Sequence, residues 1–100
     1  MVFGFGKKKL STEMHGNLAI EASMYLCWCE DNRGGTLSPD KIKQVVIGIL
    51  DRENCKYSDV DIVAISGVAI TMDREQVKAF REKSGFDQQI NGFEKSIGLR

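Results

Sequence analysis

Four side chains could act as a nucleophile or as the base that activates one: His15, Cys27, Cys29 and Cys55. A thiolate nucleophile needs a neighbouring base and usually a third group that orients the base. His15 is the only histidine, and no local motif pairs it with a cysteine. Cys27 and Cys29 are two residues apart, which turns their side chains about 200° away from each other on a helix. The sequence therefore predicts no enzyme activity, no cofactor and no metal site.

The turn over residues 30–41 places oxygen-bearing side chains at the spacing of a calcium loop. Glu30 would take the first position, Asn32 the third and Gly35 the glycine of the sharp turn. In this order the turn resembles an EF-hand loop. Lys41, however, replaces the closing carboxylate, so that a positive charge would oppose the ion. We therefore expect no tight calcium site.

Two further resemblances concern helical proteins. The order of helix, acidic turn and helix resembles tellurite-resistance TerB-type domains. Over residues 37–98, the series Leu-Ser-Pro-Asp-Lys-Ile-Lys, Val-Ala-Ile-Ser-Gly-Val and Asp-Arg-Glu-Gln-Val-Lys-Ala-Phe is followed by a closing amphipathic helix. That series is similar to YehS-like bacterial helical proteins. The resemblance implies an all-helical fold and a bacterial protein.

Composition favours one small domain in the cytoplasm. Lys and Arg together number 14, as do Asp and Glu, so the formal charge is zero and a general polyanion binder is disfavoured. Three cysteines are an odd number, which indicates reduced thiols rather than a disulfide framework. No apolar run reaches membrane-spanning length, and the N-terminal residues lack a secretory apolar region.

The clearest helix is predicted over residues 38–52. Ser38 can cap it, and Pro39 fits its first turn, where the missing N–H is not needed. Its apolar residues recur at the spacing of one helical face. They are Ile42, Val45, Val46, Ile49 and Leu50. Gly48 costs this helix about 1 kcal/mol relative to alanine, which indicates close packing at that position.

A first helix is predicted over residues 11–31, capped by Ser11 or Thr12, and it is apolar on two sides. Such a helix is either central in the core or shared with another chain. The second apolar side contains Ile20, Met24, Cys27 and Trp28. An aromatic residue and a methionine in one exposed stripe suit an interface. These four residues are the predicted protein contacts, and a homodimer or a protein partner is expected.

The rest of the chain completes an all-α fold of four to five short helices around a single core. Residues 58–70, 70–84 and 87–97 are the predicted later helices, and residues 1–10 form a flexible arm before a single domain over residues 11–100. The segment from residue 60 to 71 is nearly continuous in β-branched and apolar residues. The alternative is therefore an α+β fold in which residues 60–71 form a strand.

Two functions follow from these patterns. The first is a small non-catalytic interaction or regulatory protein that presents an apolar helix surface for self-association or partner binding. The alternative is a nucleic-acid-binding regulator of the helix-turn-helix kind. In that alternative Gly67 would make the turn, and Arg74, Lys78 and Arg81 would face the DNA. The zero net charge and the acidic residues around those cations count against nucleic acid.

Overall fold

The computed structural model describes residues 7–100, which form helices apart from one short pair of strands. The helices are α1 (Thr12–Asn32), α2 (Pro39–Arg52), α3 (Asp59–Thr71), α4 (Arg74–Ser84) and α5 (Ile90–Ser96), with a 3₁₀ turn at Phe86–Gln89 before α5. The predicted all-α class is confirmed, and the alternative strand over residues 60–71 is wrong. Within residues 7–100, none of these helices has the length and apolar content needed to cross a membrane.

Local capping signals set most of the helix starts. Ser11, Ser38 and Asp73 each accept a hydrogen bond from the backbone N–H three residues later, at 3.1, 3.3 and 3.0 Å. α4 therefore begins at Arg74 rather than at residue 70, because Asp73 caps it from an extended backbone conformation. Gly85 ends α4 with a φ of 69°, a left-handed conformation that glycine adopts without strain.

The β-branched segment forms α3 because its first turn is well capped. The backbone N–H of Ser58 donates to the Asp61 carboxylate at 2.9 Å. The negative charges of Asp59 and Asp61 also favour the positive end of the helix dipole. These local interactions, together with burial of one side of the helix, outweigh the modest strand preference of valine and isoleucine.

The core surrounds α1, which packs against α2, α3 and α4. α5 reaches the same core through aromatic rings. The ring of Phe93 lies 5.1 Å from the rings of both Tyr25 and Phe86, measured between centroids. The long first helix is thus the central element of the fold.

The N-terminal boundary of the domain lies earlier than predicted. Residues 1–6 of the predicted arm lie outside the described residues. Lys8–Lys9, as strand β1, pairs in parallel with Cys55–Lys56, as strand β2. The Lys8 N–H donates to the Asn54 carbonyl at 2.8 Å, and Leu10 packs against the core. The predicted flexible arm is therefore wrong for residues 8–10.

Gly48 lies where α2 meets the C-terminal segment, as its cost to the helix indicated. A Cβ atom at this position would come within 2.5 Å of the Ile97 carbonyl oxygen and within 2.8 Å of the Ile97 Cβ. The nearest obstacle is backbone and not the end of a flexible side chain, so it cannot move aside easily. Only glycine allows this approach without a shift of the chain.

We expect Gly48→Ala to lower the free energy of unfolding by about 1–3 kcal/mol, because the added methyl group overpacks the contact with Ile97. Gly16→Ala is the matched control, since a Cβ at this position of α1 meets no atom within 4 Å. That control should gain up to about 1 kcal/mol from better helix propensity. Urea unfolding followed by circular dichroism measures both. A stabilised Gly48→Ala protein would contradict the close approach.

Candidate functional site

The four predicted contacts on α1 do not form one exposed surface. Ile20 and Trp28 are partly exposed, whereas Met24 is 9% exposed and Cys27 is 1% exposed. Cys27 is therefore wrong as a contact residue, because α4 and the core cover it. The second apolar side of α1 therefore lies largely in the core. Of the two explanations for a helix with two apolar sides, this one is the central helix.

Trp28 is also engaged within the chain. Its ring stacks on that of Tyr25 at 6.2 Å between centroids, and the Arg33 guanidinium lies 4.9 Å from its centroid. A cation over an indole ring is an attractive arrangement. Trp28 is thus partly exposed and has intramolecular partners on its ring.

Two of the three cations predicted to face nucleic acid form ion pairs with acidic residues of α1 or with Asp87. Arg74 donates to Glu30 at 2.8 Å. Arg81 is 8% exposed and donates to Asp31 at 2.7 Å and to Asp87 at 2.8 Å. Lys78 is the exposed member of the three. Arg81 is wrong as a DNA contact, because its guanidinium is buried and already bound to two carboxylates.

The turn proposed for the helix-turn-helix alternative is also wrong. Gly67 lies inside α3, and the link between α3 and α4 consists of Met72 and Asp73 alone.

Two carboxylates of the EF-hand-like turn already form ion pairs, since Glu30 binds Arg74 and Asp31 binds Arg81. Among residues 7–100, no three histidine, cysteine or acidic side chains are grouped so that they could share a metal ion.

The histidine and the three cysteines that could do nucleophilic chemistry are not paired with one another. The His15 Nε2 atom lies 3.1 Å from the Asp61 Oδ1 atom, so this imidazole is paired with a carboxylate. Cys27, Cys29 and Cys55 are free thiols in buried positions. Burial raises the pKa of Cys29 despite the hydrogen bond to Tyr25 and the positive charge of Arg33. A raised pKa keeps that thiol neutral, which makes it a poor nucleophile.

A buried carboxylate that the sequence did not reveal joins α1 to the C-terminal segment. The Glu94 side chain is 2% exposed. It accepts hydrogen bonds from the Tyr25 hydroxyl at 2.5 Å, from the Arg33 Nη2 at 3.1 Å and from the Arg100 Nε at 2.7 Å, and the Arg33 Nη1 lies 2.7 Å from its Oε2 as an ion pair. We call these four residues the Glu94 cluster. Its donors lie 69, 61 and 6 residues away in sequence, so no local spacing could have identified it.

The Glu94 cluster holds an ionised carboxylate and a neutral phenol. Burial raises the pKa of Glu94, but the hydrogen bonds from Tyr25, Arg100 and Arg33 lower it more, so that it lies below its ordinary value. Burial and the bond to Glu94 raise the pKa of Tyr25 far above its ordinary value. Each Glu94 oxygen already has two partner atoms within 3.1 Å, which suits a structural anchor better than a general base.

The most unusual surface lies on α3, opposite the core. We call it the outer face of α3. Its seven residues are all aliphatic, glycine or threonine: Val60, Val63, Ala64, Gly67, Val68, Ile70 and Thr71. Val60 is 76% exposed and Val63 is 61% exposed. The sequence signal for this second face is that residues 62–70 contain no polar side chain apart from Ser66.

We expect Glu94→Gln to lower the free energy of unfolding by about 3 kcal/mol at pH 7, because two arginines would lose their buried counter-charge. The folded-state pKa of Glu94 lies below its ordinary value of 4.5, so its stabilisation is present above that value and is lost as the pH falls through the folded-state pKa. Urea unfolding should show the difference between the two proteins narrowing below about pH 4.5.

Glu75→Gln is the matched control for this substitution. Glu75 is exposed on α4, so its neutralisation should change stability by less than about 0.5 kcal/mol. Equal effects of the two substitutions at pH 7 would mean that the Glu94 cluster does not hold α5 against α1.

No family model, curated protein or solved structure matches this chain. The resemblances to EF-hand loops, TerB-type domains and YehS-like proteins therefore stay predictions. What the chain does has to be inferred from its own surfaces, of which the outer face of α3 is the most distinctive.

Proposed function

We propose that this chain is a small non-catalytic interaction protein that associates with a second copy of itself through the outer face of α3. The observation that carries the proposal is that α3, beyond the two acidic residues of its first turn, is apolar on nearly all sides, with Ser66 and Thr71 as its remaining polar side chains. Ile62, Ile65 and Ala69 fill the core on one side, and the outer face is apolar on the other. A helix that is apolar all round is normally buried on all sides.

The outer face of α3 has few polar groups that could interact with water. α3 contains no lysine or arginine, and its two acidic residues lie in its first turn. The Thr71 hydroxyl donates to the Gly67 carbonyl of its own helix at 2.9 Å, so it is already bound within the chain. Val68 is 49% exposed and Ile70 is 51% exposed. A contiguous apolar patch of this kind is typical of an interaction site.

A second copy is the partner that the outer face fits. Ala64 and Gly67 lie at its centre, and valines lie toward both ends. An antiparallel pair with its two-fold axis between Ala64 and Gly67 would place Ala64 of one copy against Gly67 of the other, with the valines on the two edges of the contact. Small residues opposite small ones allow the two helices to approach closely. Such an arrangement is self-complementary, as a two-fold interface requires.

The charge of the outer face disfavours other classes of partner. A nucleic acid or an anionic lipid surface is held by lysines and arginines. α3 supplies neither, and Asp59 and Asp61 add negative charge at its N-terminal end. The remaining class of partner is a protein with an apolar surface.

The expected dimer is weak because the contact is short. α3 has 13 residues, which corresponds to about 20 Å of helix. A contact of this length lies at the lower end of specific interfaces, so we expect dissociation at about micromolar concentration. The protein would then exchange between one-chain and two-chain forms as its concentration changes.

We further propose that the protein lies in the cytoplasm, which is a reducing compartment, and that it comes from a bacterium. The three free and buried thiols support the first of these, since disulfides are rare in the cytosol. The similarity to YehS-like and TerB-type bacterial proteins supports the second.

We expect Val63→Glu to abolish self-association, because the substitution would bury a carboxylate in an apolar contact. Light scattering at two protein concentrations should show the wild-type mass rising toward two chains, while the Val63→Glu mass stays at one. The thermal midpoint should change little, since Val63 is 61% exposed in the single chain.

Ala79→Glu is the matched control, because it adds the same charge at an exposed helical position on α4. That protein should associate like the wild type. A wild-type chain that stays monomeric at several hundred micromolar would overturn the proposal, as would a Val63→Glu chain that still forms the dimer.

A further inference from the structure

A cleft of about 410 Å³ lies between the C-terminal half of α1 and the N-terminal half of α2. Each wall is formed by three residues spaced four apart, which places them on one side of each segment. The walls are Tyr25, Cys29 and Arg33 on one side and Leu37, Lys41 and Val45 on the other. The C-terminal segment closes the cleft with the Glu94 cluster and Leu99. The volume suits a small molecule rather than a polymer.

The charged side chains of the cleft are mostly positive. Arg33, Lys41 and Arg100 face a single carboxylate, that of Glu94. Glu94 is buried, whereas the side chains of both arginines are 47% exposed. The side chains therefore leave an excess of two positive charges over the ionised Glu94 carboxylate, whose oxygens already accept three hydrogen bonds.

Two of these cations have donors to spare. Lys41 is exposed and makes no ion pair among residues 7–100. Arg100 reaches Glu94 through its Nε atom, so both terminal nitrogens of its guanidinium remain as donors for a ligand. A lysine ammonium and an arginine fork together are a common way to hold a phosphate.

We propose that this cleft binds a small phosphate monoester. The phosphate group lies at the opening between Lys41 and Arg100, and the organic part lies against Leu37, Val45 and Leu99. A phosphate monoester carries close to two negative charges at neutral pH, which matches the excess of the cleft. A monocarboxylate matches only half of it. The apolar walls below the cations add contact area for the organic part.

The proposal also accounts for the departure from the EF-hand pattern. Lys41 stands at the position where a calcium loop closes with a carboxylate. In the folded chain this lysine lines the cleft beside Arg33. The same turn that resembles a cation site in sequence is thus built for an anion. This site is separate from the outer face of α3, and neither depends on the other.

Titration with phenyl phosphate tests the proposal, with chloride used to keep the ionic strength constant. Trp28 is the only tryptophan of the chain, and its ring contacts Tyr25 and the Arg33 guanidinium, two residues that line the cleft. Its fluorescence should change and saturate, and the thermal midpoint should rise. Phenylacetate, a monocarboxylate of similar shape, should bind at least roughly tenfold more weakly.

Lys41→Gln should weaken phenyl phosphate binding roughly tenfold. Lys43→Gln is the matched control, because Lys43 is exposed on the same helix, loses the same charge and does not line the cleft. It should bind phenyl phosphate like the wild type. Circular dichroism checks that both variants remain folded.

Three results would overturn the proposal. The first is the absence of a saturable response to phenyl phosphate in the wild type. The second is an equal loss of binding in the Lys41→Gln and Lys43→Gln proteins, which would indicate general charge attraction. The third is phenylacetate binding as tight as that of phenyl phosphate, which would remove the match to a doubly charged group.

Discussion

The enclosure of α1 is the constraint on which the rest of the structure depends. Its apolar residues occupy two sides of the helix, so packing on one side alone would leave the other in water. α2, α3 and α4 all pack on it, and α5 reaches it through Phe93 and Glu94. Burial of apolar surface at about 25 cal/mol per Å² makes this shared contact the main source of stability.

The charged residues on and next to α1 also form ion pairs with several of the surrounding helices. Glu21 pairs with Arg52 of α2, Glu30 pairs with Arg74 of α4, and Arg33 pairs with Glu94 of α5. Partly exposed pairs contribute little energy each, but their geometry sets how the helices lie against α1. α3 brings no cation to this network, and Asp61 meets α1 only through His15. The outer face of α3 is therefore apolar, and among residues 7–100 Lys41 of the cleft forms no ion pair with this network.

Much of the fold could be predicted from the sequence because its signals are local. The caps at Ser11, Ser38 and Asp73 act on amide groups three residues away. Gly48 could be interpreted in the same way, since an unfavourable glycine inside a helix indicates a close neighbour. The identity of that neighbour, Ile97, could not be predicted, because it lies about half the chain away from Gly48 in sequence.

The sequence by itself determined that the class is all-α, that the first three helices begin near residues 11, 38 and 58, and that both the first and the third predicted helices lack a single polar face. Only the tertiary structure decided which of those two helices is enclosed. It covers Met24 and Cys27 on α1 and leaves Val60 and Val63 on α3 exposed. Periodicity describes one helix at a time, whereas burial depends on which distant helices pack beside it. For the same reason, the pairing of Glu94 with Tyr25 could come only from the folded chain.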